Sequence, residues 1–291
     1  MYWIVQGNLK TDEGLNALMD VLRNEGYEHS LVKTIPFSNI IVGVDVDINQ
    51  FSENDIPRLQ IANDKPMVTM GSYSLALAAK EKGWVPGSFI NENFEFSKWC
   101  SGWGKDNLLN GEAIEDSVKN IIPKITAGRQ KVFARPSEDT KSFAGQLFEA
   151  DNLIYWLGKV ATSVDRFGLN GDTSIIVSPA KKILAEYRLF VVDGQIVTGS
   201  LYKLGDLVTT SDIIDPVAIE YANKMLSIWQ PDRAFVLDIA ITENGPKIIE
   251  VNNSALRLLP LNFNKKDKKK RLEKIYNIIS DDELSEFSKN C

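Results

Sequence analysis

The sequence predicts a mixed chain of class α/β (α+β), and three observations predict it. Strand and helix patterns alternate over residues 1–95. Two long apolar hairpins follow, turning at Asp193-Gly194 and at Asn244-Gly245. The composition, 44% hydrophobic and 25% charged, is that of a globular protein with a packed core. At 291 residues the chain can bury a sizeable core and hold two domains.

Taken in order, residues 2–6 read as a short buried strand, and residues 12–25 as a helix capped by Thr11 or Asp12. Leu15, Leu18, Met19 and Leu22 form its apolar stripe, and Gly26 stops it. Strands are expected at residues 29–35, 40–44 and 67–70. Gly71-Ser72 opens a helix through Lys82 that Gly83 ends; the turn is either a plain N-cap or an anion site. Residues 84–112, rich in Trp and Phe, read as a packing segment between domains, and a helix is expected over 111–122. Residues 131–137 are a strand, followed by a polar loop through Gly145. Arg135 and Lys141 there either hold phosphate oxygens or belong to a solvated turn. A helix over 149–167, a strand over 174–177, the Asp193-Gly194 hairpin and a helix over 216–229 complete the reading up to the last hairpin. Residues 265–271, K-K-D-K-K-K-R, begin a helix with a solvated basic face.

Scarcity excludes chemistry. His29 is the only histidine, which argues against zinc and against a histidine-based triad. Cys100 and Cys291 are the only cysteines, so no disulfide framework is expected and a reducing, cytoplasmic location fits. The start, M-Y-W-I-V-Q-G-N, lacks the charged opening and long apolar core of a signal peptide, and no membrane span is expected. A net charge of -6 argues against broad nucleic-acid binding.

The final hairpin carries the chemistry. Along residues 233–242, Phe235, Leu237, Ile239 and Ile241 share one strand face, and Val236, Asp238 and Ala240 the other. A two-residue Asn244-Gly245 loop would set Asp238 against Val251. A three-residue loop, Glu243-Asn244-Gly245, sets Asp238 against Glu250, Leu237 against Val251 and Ile239 against Ile249; it is preferred because one face becomes wholly apolar. Asp238, Glu250 and Asn252 then cluster, and two carboxylates side by side are costly unless a cation separates them. Oxygen-only ligands suit magnesium or manganese. On the preceding hairpin, Glu186, Arg188 and Lys203 are charges on strands otherwise built for burial. They form either a structural ion pair or part of the same site.

The blocks K-V-F-A-R-P, A-E-Y-R-L-F-V-V-D-G-Q-I-V-T-G-S-L-Y, V-L-D-I-A and I-I-E-V-N-N together resemble the ATP-grasp superfamily over residues 131–253, and are most similar to a branch found in bacteriophage and bacterial genomes. The resemblance implies a small α/β domain over 1–95 and an ATP-grasp domain over 96–291, with subdomains 96–182 and 183–291 gripping Mg-ATP. It implies Asp238, Glu250 and Asn252 as ligands of Mg2+ (or Mn2+), with Asp238 also at the nucleotide. Arg135 and Lys141 would meet the phosphates, although many members have Lys where Arg135 stands. Glu186 would contact nucleotide or order Arg188, and Arg188 and Lys203 would face the γ-phosphate or an acyl phosphate. The implied activity is ADP-forming ligation of a carboxylate to an amine on a peptide or small metabolite. A small-molecule kinase and a nucleotide-binding module without turnover are the alternatives. A homo-oligomer is compatible with the family.

Overall fold

The computed structural model describes residues 1–8, 12–35, 38, 40–51, 55–61, 64–88, 91–137, 143–162 and 169–253. Lys141, the loop after Asn253 and the basic run at 265–271 lie outside the described residues. Three sheets carry the chain.

The first sheet is built by β1 (Tyr2–Gln6), β2 (Glu28–Thr34), β3 (Ile41–Gly43), β4 (Met67–Met70) and β5 (Pro86–Gly87), in the order β3-β2-β1-β4-β5. All its neighbours are parallel except β2 with β3. Parallel neighbours need crossovers, which α1 (Asp12–Asn24) and α2 (Tyr73–Glu81) provide. As expected, Leu18, Met19 and Leu22 of α1 are buried, and positive φ at Gly26 and Gly83 follows the two helix ends.

After α3 (Phe96–Trp103), β6 (Ile114–Ser117), the single-turn α4 (Val118–Ile121), β7 (Lys131–Pro136), β8 (Gln146–Glu149), α5 (Ala150–Thr162) and β9 (Ser174–Pro179) form the second layer. Its antiparallel sheet runs β6-β9-β7-β8. Val118, Ile121, Leu153 and Leu157 pack onto Val132, Ala134, Ile175 and Val177. The helix expected over 111–122 is therefore reduced to the single turn Val118–Ile121, with strand β6 before it. Residues 114–117 offer no helical apolar stripe, and pairing with β9 satisfies their backbone.

The third sheet, antiparallel throughout, runs β12-β11-β10-β13-β14. Its strands are β10 (Ala185–Val192), β11 (Gln195–Leu204), β12 (Leu207–Ser211), β13 (Ala234–Thr242) and β14 (Gly245–Asn253), with α6 (Pro216–Ile228) between β12 and β13. One face is the main core. Leu189, Phe235, Leu237, Ile239 and Val251 meet Ala218 and Met225 of α6 and Phe94, Trp99 and Trp103 from the aromatic segment. Trp103 Nε1 donates to the carbonyls of Met225 and Trp229, each at 2.9 Å, tying α3 to the end of α6.

The opposite face is divided. Phe190, Val192, Ala234 and Val236 are covered by Trp3, Val5 and the α1 stripe. Further along the same strands the face turns polar.

The last hairpin corrects one expectation. Its turn residues are Glu243 and Asn244, Thr242 pairs with Gly245, and the register then runs to Ile239 opposite Ile248. A bulge between Asp238 and Ile239 next brings Asp238 opposite Glu250 and Leu237 opposite Val251. Ile239 therefore does not pair with Ile249. Inserting Ile249 as the extra residue returns the alternation to phase, so Ile248 and Val251 both enter the core. The two carboxylates meet because of the bulge, not the loop length.

Candidate functional site

The polar half of the third sheet follows from strand register. Arg188 lies across from Asp238 on β13 and from Ser200 on β11; Asp238 lies across from Glu250, and Val236 from Asn252. Period-two alternation then puts Glu186, Arg188, Asp238, Glu250 and Asn252 on one face. The structure brings five of the sequence-predicted residues together here, with Lys203 beside Glu186 as the sixth.

Asp238 is fully buried, and Arg188 grips it bidentately, Nε to Oδ1 at 2.9 Å and Nη2 to Oδ2 at 2.6 Å. Burial alone would lower the Arg188 pKa, but the charge and hydrogen bonds of Asp238 outweigh it and the net shift is upward. Asn252 Nδ2 donates to Glu250 Oε1 at 2.9 Å and reaches Asp238 Oδ2 at 3.5 Å, so the amide bridges the two acids. Glu186 does not contact Arg188 directly. It accepts from Tyr202 Oη at 2.5 Å and from Lys203 Nζ at 3.0 Å. The Tyr202 ring lies under the Arg188 guanidinium, 5.1 Å from its centroid, and links the two halves of the cluster. Burial, together with the Asp238 and Glu186 charges, pushes the Tyr202 hydroxyl far up, so it stays a donor. Ser200 is fully buried, and its Oγ has no hydrogen-bond partner among the described residues.

A cleft of about 580 Å³ opens between the second and third sheets. Phe133 and Leu147 form one wall, Leu184 and Ile249 the other, with Glu186 and Lys203 at the polar end. Its back is the linker between β9 and β10, including Lys181 and Lys182. A second hollow of about 470 Å³ lies beside the Glu243–Asn244 turn, but none of Glu186, Arg188, Asp238, Glu250 or Asn252 lines it, so the first cleft is the one joined to the chemistry.

Arg135 belongs to β7 of the second sheet. It shares a strand face with Phe133 two residues before it, while Val132 and Ala134 enter the opposite core. Its guanidinium lies over the Trp99 ring at 4.6 Å and the Phe96 ring at 5.8 Å. The linker, β8, Tyr202 and Ser200 were not anticipated from sequence. Tyr202 had one signal, its place beside Lys203 on a charged strand; the linker had none. Among the described residues no group of three His, Cys, Asp or Glu side chains is placed to hold a metal ion.

Solved structures identify this arrangement of sheets as the ATP-grasp fold. The chain resembles the crystal structure of D-cycloserine synthetase DcsG, with a TM-score of 0.61 and 12% identity over 94% of this chain and 98% of that one. It equally resembles D-alanine–D-alanine ligase from Bacillus anthracis complexed with ATP, with a TM-score of 0.61 and 12% identity over 100% and 99% of the two chains. ATP-grasp ligase PsnB complexed with a minimal precursor matches at a TM-score of 0.51 and 12% identity over 95% and 98%. More particularly, residues 112–256, spanning the second and third sheets, match the family described as ATP-grasp domain, R-2-K clade family 2. No curated protein matches the chain in sequence. No helix among the described residues is long and apolar enough to cross a membrane.

Proposed function

We propose that the protein is an ATP- and Mg2+-dependent ligase that joins a carboxylate to an amine on a peptide or small metabolite, through an acyl phosphate. The observation that carries this reading is the cluster of Asp238, Glu250 and Asn252, set by register on the sheet face whose Glu186 lines a nucleotide-sized cleft.

The residues fit the metal. Among the described residues, Glu186, Asp238 and Glu250 bring three carboxylates to the same face as Arg188 and Lys203. The donors are hard oxygens suited to Mg2+ or Mn2+. When bound, the cation would neutralise charge on the ATP phosphates. Phe133, Leu147, Leu184 and Ile249 offer apolar walls for a purine. Lys203 and Arg188 would face the transferring phosphoryl group, and Arg135 the phosphates beyond it. In the reaction the substrate carboxylate oxygen attacks the γ-phosphorus and ADP leaves. The amine nitrogen then attacks the acyl carbon, phosphate leaves with the former carboxylate oxygen, and the amine loses a proton. Cationic side chains that neutralise developing charge suffice for the first step. That accords with a chain holding one histidine.

The test is ADP and phosphate release from Mg-ATP, with and without a mixed amino-acid and peptide pool containing hydroxylamine. Pool-dependent ADP and phosphate with a trapped hydroxamate, lost in Glu250→Ala, is the expected result. ADP with a stable phosphorylated acceptor would replace ligase by kinase. ATP binding with no turnover on any pool would favour a binding module.

A further inference from the structure

Away from the acidic cluster, β12 forms one edge of the third sheet. β12 pairs with β11 and with no other strand among the described residues, so its outer edge presents unpaired backbone donors and acceptors. Leu207 is 73% exposed and Val208 86%. Consecutive side chains point to opposite faces, so exposure of both means neither face of this end of β12 is covered. Leu204 and Ile213 extend the apolar surface on either side. Asp206 before the strand and Asp212 after it are both exposed.

We propose that this edge docks an extended segment of another polypeptide, added as a sixth strand, with apolar or β-branched residues at its centre and Lys or Arg at both ends. Main-chain pairing supplies the attachment, and alternate side chains fill the Leu207 and Val208 sides. The charges select this occupant over a second copy of the chain. Antiparallel self-pairing about Thr209 would set Asp206 against the second copy's Asp212 at both ends, and parallel in-register pairing would set each acid beside itself. Like charges directly opposite destabilise a strand pair in either case. The chain's own run K-K-D-K-K-K-R at 265–271 has the right charge but no apolar residue to meet Leu207 and Val208. Gly205 and Asp206 also line the 580 Å³ cleft, so a segment leaving the Leu207 end of the edge reaches its mouth. Docking itself does not depend on turnover in that cleft.

The test uses the full chain and fluorescein-labelled peptide Lys-Val-Thr-Val-Thr-Lys, followed by anisotropy. Saturable binding is expected, at least tenfold weaker to Val208→Lys and at least tenfold weaker for the peptide N-methylated at alternate residues. Val208→Lys should leave the melting temperature unchanged, because the side chain is exposed. The proposal is overturned if binding does not saturate, if the N-methylated peptide or a Glu-Val-Thr-Val-Thr-Glu peptide binds as tightly, or if Val208→Lys has no effect. A concentration-dependent dimer abolished by Val208→Lys would instead assign the edge to a second copy. A tenfold gain in peptide affinity on replacing the lysines of 265–271 with serine would assign it to the chain's own tail. Either result overturns the proposal.

Discussion

Arg188→Met isolates the electrostatics of the cluster. The substitution keeps a long apolar stem but withdraws a bidentate guanidinium, held at 2.9 and 2.6 Å, from a carboxylate with no exposed surface. Removing one partner of a buried pair leaves the other charge desolvated, at a cost of about 3–5 kcal/mol. Urea denaturation should show a loss of that size. Arg188→Met with Asp238→Asn should recover most of it, because the charge that needed compensation is gone and Asn keeps the volume. The single variant Arg188→Met also tests the cation. With the guanidinium absent, Asp238 and Glu250 should bind Mg2+ or Mn2+ in place of it, and the variant should gain about 1.4 kcal/mol at a cation concentration ten times its Kd. Wild type, whose Asp238 is already engaged, should gain less. A loss below about 1 kcal/mol for Arg188→Met would refute the buried-pair argument. No greater response to divalent cation in the variant than in wild type would refute the metal assignment.

Three further outcomes follow from single contacts. A Cβ at Gly111 would collide with the carbonyl oxygen of Lys105, a backbone atom that cannot swing aside, so Gly111→Ala should cost about 1–3 kcal/mol or more in urea denaturation. Tyr202→Phe removes the hydroxyl donated to the buried Glu186 carboxylate and should cost about 1.5–3 kcal/mol; a change under about 0.5 kcal/mol, the size of a surface substitution, would show that Lys203 suffices. Burial raises the Asp232 pKa above 3.8, against the lowering effect of Arg233 and Asn91. The native state then holds that proton to higher pH than the unfolded chain, so this group makes stability fall as pH rises from about 4 through its folded pKa. Asp232→Asn should flatten that slope in denaturation midpoints taken across the interval.

What sequence could read here depended on whether a signal was local. The Asp193-Gly194 turn, the α1 stripe and the glycine stops after α1 and α2 are set by a few neighbouring residues, and they stand where expected. The facing of Asp238 and Glu250 was also legible, since strand alternation and the demand for one apolar face restrict the register to a few choices. The bulge that achieves it was not, because Ile249 looks like any other strand residue. Residues 114–117 became strand through pairing with β9, some 60 residues away, which no local pattern records. The linker at the back of the cleft has ordinary composition, and its importance comes only from lying between two sheets. The partner of Arg188 was equally hidden. Sequence named Arg188 and Asp238 as site residues but gave no means of knowing that they hold each other.

That pairing follows from how the face of the third sheet is shared. Two residue pairs along from Arg188 and Asp238, Phe190 and Val236 lie under Trp3 and the α1 stripe. The N-terminal layer thus forms a dry wall beside the charges. A low effective dielectric would strengthen each interaction aimed at a phosphate or cation in the proposed reaction. It also makes an uncompensated Asp238 expensive in the absence of ligand. A bidentate arginine one strand away meets that cost without leaving the face. On the proposed reading, the same guanidinium would lie within reach of anionic oxygens once a divalent cation took over Asp238. On that reading, the wall that strengthens the site is also the reason Arg188 is needed where it is.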